Sequence, residues 1–307
     1  MGRSFCFNKL YMTRQQLKNL MLPIAMVGGA ALYPWMHYVQ PLSPYLIFVM
    51  LFITYCKLDF RHLRVTRFQW HLLAVQLLMS ALAYVVFLWN HTVAEGVFIC
   101  VFIPTATAAP VITAMLGGSI ASVATYSLLG NLVTAILGPL VLAAIGDAQY
   151  TFIQSFLMIL AKVAPLLVGP ILLALIVRTV FPKFHKTIQT HQSLSFYIWA
   201  VALFIIVGCC VSFTIRNYVR GSELTMVLLA LGALLVCVAQ FKVGRRIGGI
   251  YGDKVAGGQG LAQKNTVLAV WLAMAYMTPI ASIAPAAYIA WQNIINSWQI
   301  MRHKERP

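Results

Sequence analysis

Charge is scarce in this chain, and negative charge most of all. Of 307 residues, 6 are Asp or Glu, and only 9% carry any charge. A soluble domain has about 25% charged residues, so there is too little ionic surface here to keep the chain in water. Metal-ligand patterns are also missing. The six cysteines (Cys6, Cys56, Cys100, Cys209, Cys210 and Cys237) show no zinc spacing and fall mostly in apolar segments, where they read as small core residues. The seven histidines sit at span ends or in loops without a helical ligand pair. A metalloenzyme reading therefore lacks its parts. Loops are short, and nothing resembles a soluble domain or a low-complexity linker. Function has to reside in the apolar bundle.

What is abundant is apolar: 61% of residues, with a mean hydropathy of +0.84. This composition predicts an all-α integral membrane protein. At about 20 residues per span, ten spans fit: 19–35, 44–58, 70–89, 95–116, 119–143, 152–177, 194–214, 223–241, 255–276 and 279–300. The basic segment before the first run resembles a signal-peptide start but has no convincing cleavage site, so it is kept as part of a retained first span.

A net charge of +16 would usually suggest nucleic acid, yet the 22 Lys and Arg lie in short clusters between the apolar runs. Assigned to alternating sides, all but four fall on one side. Arg216 and Arg220 fall on the other, and Lys162 and Lys264 lie inside spans. Positive residues stay inside. A multi-pass protein of the plasma (cytoplasmic, inner) membrane is expected, with both termini cytoplasmic. No nucleic-acid or protein partner is implied. Trp35, Trp89, Trp199, Trp291 and Trp298 gather toward span ends, as interfacial anchors do.

Two spans carry helix breakers. Span 4 has Pro104 and Pro110 around Thr105 and Thr107, and span 9 has Gly257, Gly258 and Gly260 before Gln263, Lys264, Asn265 and Thr266. Both are predicted to open near the midplane, because proline removes a donor and glycine weakens the helix. Their midpoints, Thr107 and Ala262, lie about half a chain length apart, each in the fourth span of five. An odd span number per half turns the halves opposite ways. The expected plan is two inverted repeats, 1–148 (spans 1–5) and 149–307 (spans 6–10), with discontinuous helices crossing at a binding site. The structural alternative is a pair of kinked helices without a site.

These residues resemble the bile acid:sodium symporter family over nearly the whole chain. Pro104 to Thr113 is similar to the family's Pro-Gly-Gly-Thr-Ala-Ser-Asn stretch, and Gln263 to Ala269 to its Glu-x-Gly-x-Gln-Asn-Ser-Gly-Leu-Ala signature. Lys162 to Gly169 is similar to its Pro-Leu-Leu-Gly helix, and Gln76 sits near its span 3 glutamine. The resemblance implies a panel of spans 1, 2, 6 and 7, a core of spans 3–5 and 8–10, and transport of bile-acid-like or other organic anions. It also implies two sodium ions, but here the ligand residues differ: Ala109-Pro110 replaces Ser-Asn, Gly260 the signature Glu, and Lys264 its Gln. Asp59, Glu95, Asp147, Glu223, Asp253 and Glu305 all fall near span ends, in loops or in the tail.

Sodium wants several hard oxygens, usually with a carboxylate among them, so no sodium and no other cofactor is expected. Lys264 is expected to take the place of a sodium ion, either as a fixed charge or as a proton carrier. Its expected partners are Gln76, Thr105, Thr107, Asn131 and Thr134, plus carbonyls freed at the break, with Gln263, Asn265 and Pro110 completing the site. Lys162 either presents its ammonium to an anionic substrate or reaches an interface. The sequence thus reads as a secondary transporter of a small organic anion. The alternatives are a sodium-coupled symporter of the same family and a membrane ligand sensor that transports nothing. An enzyme is not expected, and a channel lacks a filter motif.

Overall fold

The computed structural model describes residues 14–57, 63–106, 108–146, 151–190, 193–216, 218 and 220–304. Among these there is no strand, only one isolated β-bridge. The helices are α1 (Arg14–Ala31), α2 (Tyr33–Val39), α3 (Ser43–Lys57), α4 (Arg67–Val86), α5 (His91–Phe102), α6 (Ala109–Met115), α7 (Ile120–Ile145), α8 (Phe152–Val180), α9 (Pro182–Thr190), α10 (Ser193–Arg216), α11 (Glu223–Ile250), α12 (Lys254–Ala262), α13 (Thr266–Tyr276) and α14 (Ile283–Lys304).

Five stretches among the described residues are long and apolar enough to cross a membrane: Tyr33–Cys56, Arg67–Val86, Ile120–Ile145, Phe152–Val180 and Glu223–Ile250. Their outer faces are those of a membrane protein. On α11, Leu224, Val227, Leu231 and Leu235 recur at helical spacing and are all more than half exposed, while Leu229, Gly232, Val236 and Gln240 on the opposite face are buried. In water each such leucine would forgo about 1.5–3 kcal/mol. Against lipid tails it forgoes almost nothing, so the chain is a membrane-embedded all-α protein.

Local signals set the helix starts. Thr66 and Gln69 form a capping box at α4. Asn90 caps α5 by accepting from Val93 N–H, and Ser119 caps α7 by accepting from Ser122 N–H. Asp253 serves two starts at once, with Oδ1 accepting from Ala256 N–H of α12 and Oδ2 from Ser119 N–H ahead of α7.

The structure differs from the sequence reading in three places. Spans 4 and 9 are each two helices, α5 with α6 and α12 with α13, but the glycines of span 9 do not open it. Gly257, Gly258 and Gly260 are helical, and the break comes after them, at Gln263 to Asn265. Their smallness serves packing instead. A Cβ on Gly257 would lie 2.1 Å from the Gly244 carbonyl oxygen, and one on Gly244 2.3 Å from that of Gly257, so α11 and α12 touch backbone to backbone. Close approach of this kind replaces the hydrophobic drive that lipid removes. Secondly, α9 is an extra amphipathic helix in a predicted loop, held by Gln189 Nε2 donating to the Cys56 carbonyl. Thirdly, Trp291 is a packing residue: its indole N–H donates to the Ala230 carbonyl of α11. Trp35, Trp89 and Trp298 are exposed.

Gly257→Ala is expected to destabilise the detergent-solubilised protein by about 1–3 kcal/mol through overpacking. Gly138→Ala, whose new methyl would meet Thr134 at an ordinary 3.5 Å, should be neutral or gain about 0.5–1 kcal/mol. Thermal melts followed by size-exclusion chromatography compare the two.

Candidate functional site

The two breaks lie against each other. Thr105 and Lys264 form an antiparallel β-bridge. On either side of it Ala106 N–H donates to the Gln263 carbonyl at 2.8 Å and Asn265 N–H to the Pro104 carbonyl at 2.9 Å. The sequence placed the centre at Thr107 and Ala262. It falls instead at Thr105 and Lys264, and Thr107 lies outside the described residues. The bridge answers the demand that every backbone polar group in a bilayer be satisfied within the protein.

Each broken helix also has a terminal carbonyl satisfied by a side chain of the other segment. At the end of α5, the Ile103 carbonyl accepts from Lys264 Nζ at 3.1 Å. At the end of α12, the Gly260 carbonyl accepts from Thr105 Oγ1 at 2.6 Å. Beyond the breaks, Asn265 Oδ1 caps α13 by accepting from Leu268 N–H. α6 has no side-chain cap, and Pro110 stands in its first turn, where a missing N–H costs nothing.

Four surrounding helices hold the crossing. From α4, Gln76 Nε2 donates to the Phe102 and Ile103 carbonyls at 2.7 and 3.1 Å, while its Oε1 accepts from the Tyr126 hydroxyl of α7. Also on α7, Ser127 Oγ donates to the Thr105 carbonyl at 3.1 Å. One turn further, Asn131 Nδ2 donates back to the Ser127 carbonyl, and its buried Oδ1 has no partner among the described residues. From α14, Gln292 Oε1 accepts from Lys264 N–H at 3.0 Å, and the Tyr288 hydroxyl donates to the Ala262 carbonyl at 2.7 Å. Gln240 of α11 donates in turn to that hydroxyl.

Gln76, Thr105, Asn131, Gln263, Lys264 and Asn265 are therefore gathered at or around one crossing, and none is more than 3% exposed; Thr134 is buried on α7, and among the described residues no hydrogen bond joins it to the crossing. Lys162 is not among them. It is exposed on α8, and among the described residues no hydrogen bond joins it to the crossing. Nor do Gln76 and Thr105 bond the Lys264 ammonium, as the sequence reading had them do. Their hydrogens go to backbone carbonyls, and the Lys264 amine takes a carbonyl freed at the break, the other partner the sequence leads one to expect. Ser127, Tyr126, Tyr288, Gln292 and Asn296 were not expected in the site. The rule that singled out Asn131, an amide within an apolar span, applies equally to Gln292 and Asn296.

Magnitudes explain how a lysine stays here without an acid. Insertion of a lysine at mid-membrane costs about 2.5–3.5 kcal/mol. A hydrogen bond to a charged group returns about 1.5–3 kcal/mol, and a cation at a helix C-terminus about 0.3–1 kcal/mol more. A charged Lys264 at the α5 C-terminus has both, and on these magnitudes it needs no carboxylate. Its remaining hydrogens, with Gln263 Nε2 and Asn265 Nδ2, which have no partner among the described residues, make this segment a cluster of donors.

One buried carboxylate does exist in the bundle. Glu95, expected at a span end, is fully buried in α5, where Oε2 accepts from Thr278 N–H and Oε1 lies 3.9 Å from His91 Nδ1. No protein-family model and no curated protein matches the chain.

Asn265→Ala should cost about 1 kcal/mol through loss of the α13 cap, and Asn265→Ser, which can still accept from the helix, should restore most of it. Thermal denaturation of the three proteins measures the difference.

Proposed function

We propose that the chain is a secondary transporter of a small organic anion, working by alternating access, and a divergent relative of the bile acid:sodium symporters in which Lys264 stands where those carriers hold a sodium ion. The observation that carries this reading is the reciprocal crossing: two interrupted helices paired backbone to backbone, with the Lys264 amine at the join donating to the Ile103 carbonyl. Inverted-repeat transporters place their sites at such a crossing. Ten spans in two inverted repeats, with both termini cytoplasmic, complete the reading. It is supported by helical segments at each of the ten expected places and by the clustering of basic residues.

Packing within each group supports the panel and core grouping, and α7 against α8 joins the two. α1 meets α10 where a Cβ on Gly29 would strike the Phe204 carbonyl and one on Gly208 the Gly29 carbonyl. α3 lies against α8 and α10, while α5, α11, α12 and α14 pack among themselves.

The site chemistry favours an anion. Lys264, Gln263 and Asn265 offer donors, and a carboxylate accepts through two oxygens. Lys264 already takes an oxygen ligand from the break through its bond to the Ile103 carbonyl, as a bound cation would. A transport cycle on this plan needs no sodium.

In proteoliposomes, uptake of organic anions is expected to run at the same rate with choline in place of sodium. Lys264→Ala is expected to abolish it at undiminished expression. A strict sodium requirement would reject the fixed-charge mechanism, and undiminished uptake by Lys264→Ala would remove the residue from it.

A further inference from the structure

Helix α14 carries a stripe that the crossing does not use up. Gln292, Asn296 and Gln299 recur at helical spacing on α14, with exposures rising from 0% through 4% to 9%. Their carboxamides join a ladder that starts at the crossing. Asn296 Nδ2 donates to Gln263 Oε1, Gln259 Nε2 donates to Asn296 Oδ1 at 2.9 Å and to Gln299 Oε1 at 3.3 Å, and Arg245 Nη1 reaches the same Gln299 oxygen at 3.5 Å. Arg245 is exposed, so the ladder runs from the fully buried Gln263 to the surface.

Stability does not account for it. Interhelical polar bonds in membrane proteins are worth about 0.6 kcal/mol each on average, a small return for four carboxamides that apolar side chains could replace. Nor is the ladder self-sufficient. Among the described residues Gln263 Nε2 and Gln259 Oε1 are buried without a protein partner, one a spare donor and one a spare acceptor. Buried polar groups in folded proteins are hydrogen-bonded to protein or to ordered water, and water is the one small molecule that serves both. Each orphaned atom would otherwise cost about 1–3 kcal/mol.

We infer that the Gln263–Asn296–Gln259–Gln299 ladder is a water-wetted passage through the bundle, connecting the crossing to the face that carries Arg245. Through it water reaches and leaves the crossing while the bundle stays closed, so that the donors around Lys264 can be rehydrated after a cargo departs. The inference rests on the crossing being the functional site.

Silver ion, which is close to water in size and reacts with thiols, is a suitable probe. The Gln263→Cys variant is prepared in a background without native cysteines, and its thiol is assayed by maleimide labelling after denaturation. Silver applied at the Arg245 face should protect this thiol. Adding Asn296→Leu, which fills the ladder with an apolar group, should slow protection by about tenfold or more, equivalent to about 1.4 kcal/mol of added barrier. Should Gln263→Cys fail to fold, Asn296→Cys with Gln299→Leu as the block poses the same question. A folded variant whose thiol stays unprotected, or is protected equally fast with the block in place, overturns the passage. Neither assay needs transport, so a dry ladder leaves the carrier reading standing, and a wet ladder in a protein without uptake would sink that reading alone.

Discussion

Two backbone hydrogen bonds and the bridge between them carry the rest of this molecule. A helix cannot stop inside a bilayer without leaving carbonyls and amides that lipid will not satisfy. Here two helices stop at the same depth, and the strand-like residues Pro104 to Ala106 and Gln263 to Asn265 satisfy one another. Neither break could exist alone. The surrounding polar side chains follow from this need: Gln76, Thr105, Ser127, Tyr288 and Gln292 each bond to a backbone group at or beside the crossing. The site is a local solution to a backbone problem, and its polarity is what remains available for chemistry.

The lysine at the join answers the same need. A carbonyl at a helix C-terminus is the negative end of a dipole, and the α5 terminus is met by an ammonium on a flexible stem. Glu95 places a buried carboxyl group elsewhere in the bundle, where it accepts from Thr278 N–H of the turn between α13 and α14. It ties α5 to the second half of the chain and lies outside the crossing network.

Much of this was legible in the sequence, for physical reasons that can be named. Apolar runs long enough for a bilayer announce membrane helices by composition alone, and Pro104 announced the interruption of span 4, because proline cannot be accommodated silently. Lys264 stood out because its cost at mid-membrane demands a cause. Glycine misled because it has two uses. The run at Gly257 reads as a weak helix, but its missing side chains permit contact with Gly244, a pairing that only three dimensions reveal. The α14 carboxamides were passed over because no breaker marks them. Lys162 shows the limit of depth as a guide, since a sequence gives the position of a residue along a helix but not which face it occupies.

Whether Lys264 stands in for a bound cation is tested most directly by comparing thermal stability in sodium and in choline for the wild-type protein and Lys264→Glu. A built-in cation makes the wild type indifferent to the salt, and its replacement by a carboxylate creates a need for sodium that raises the melting temperature of the variant in sodium alone. Stabilisation of the wild type by sodium, or indifference of Lys264→Glu to it, would contradict that role.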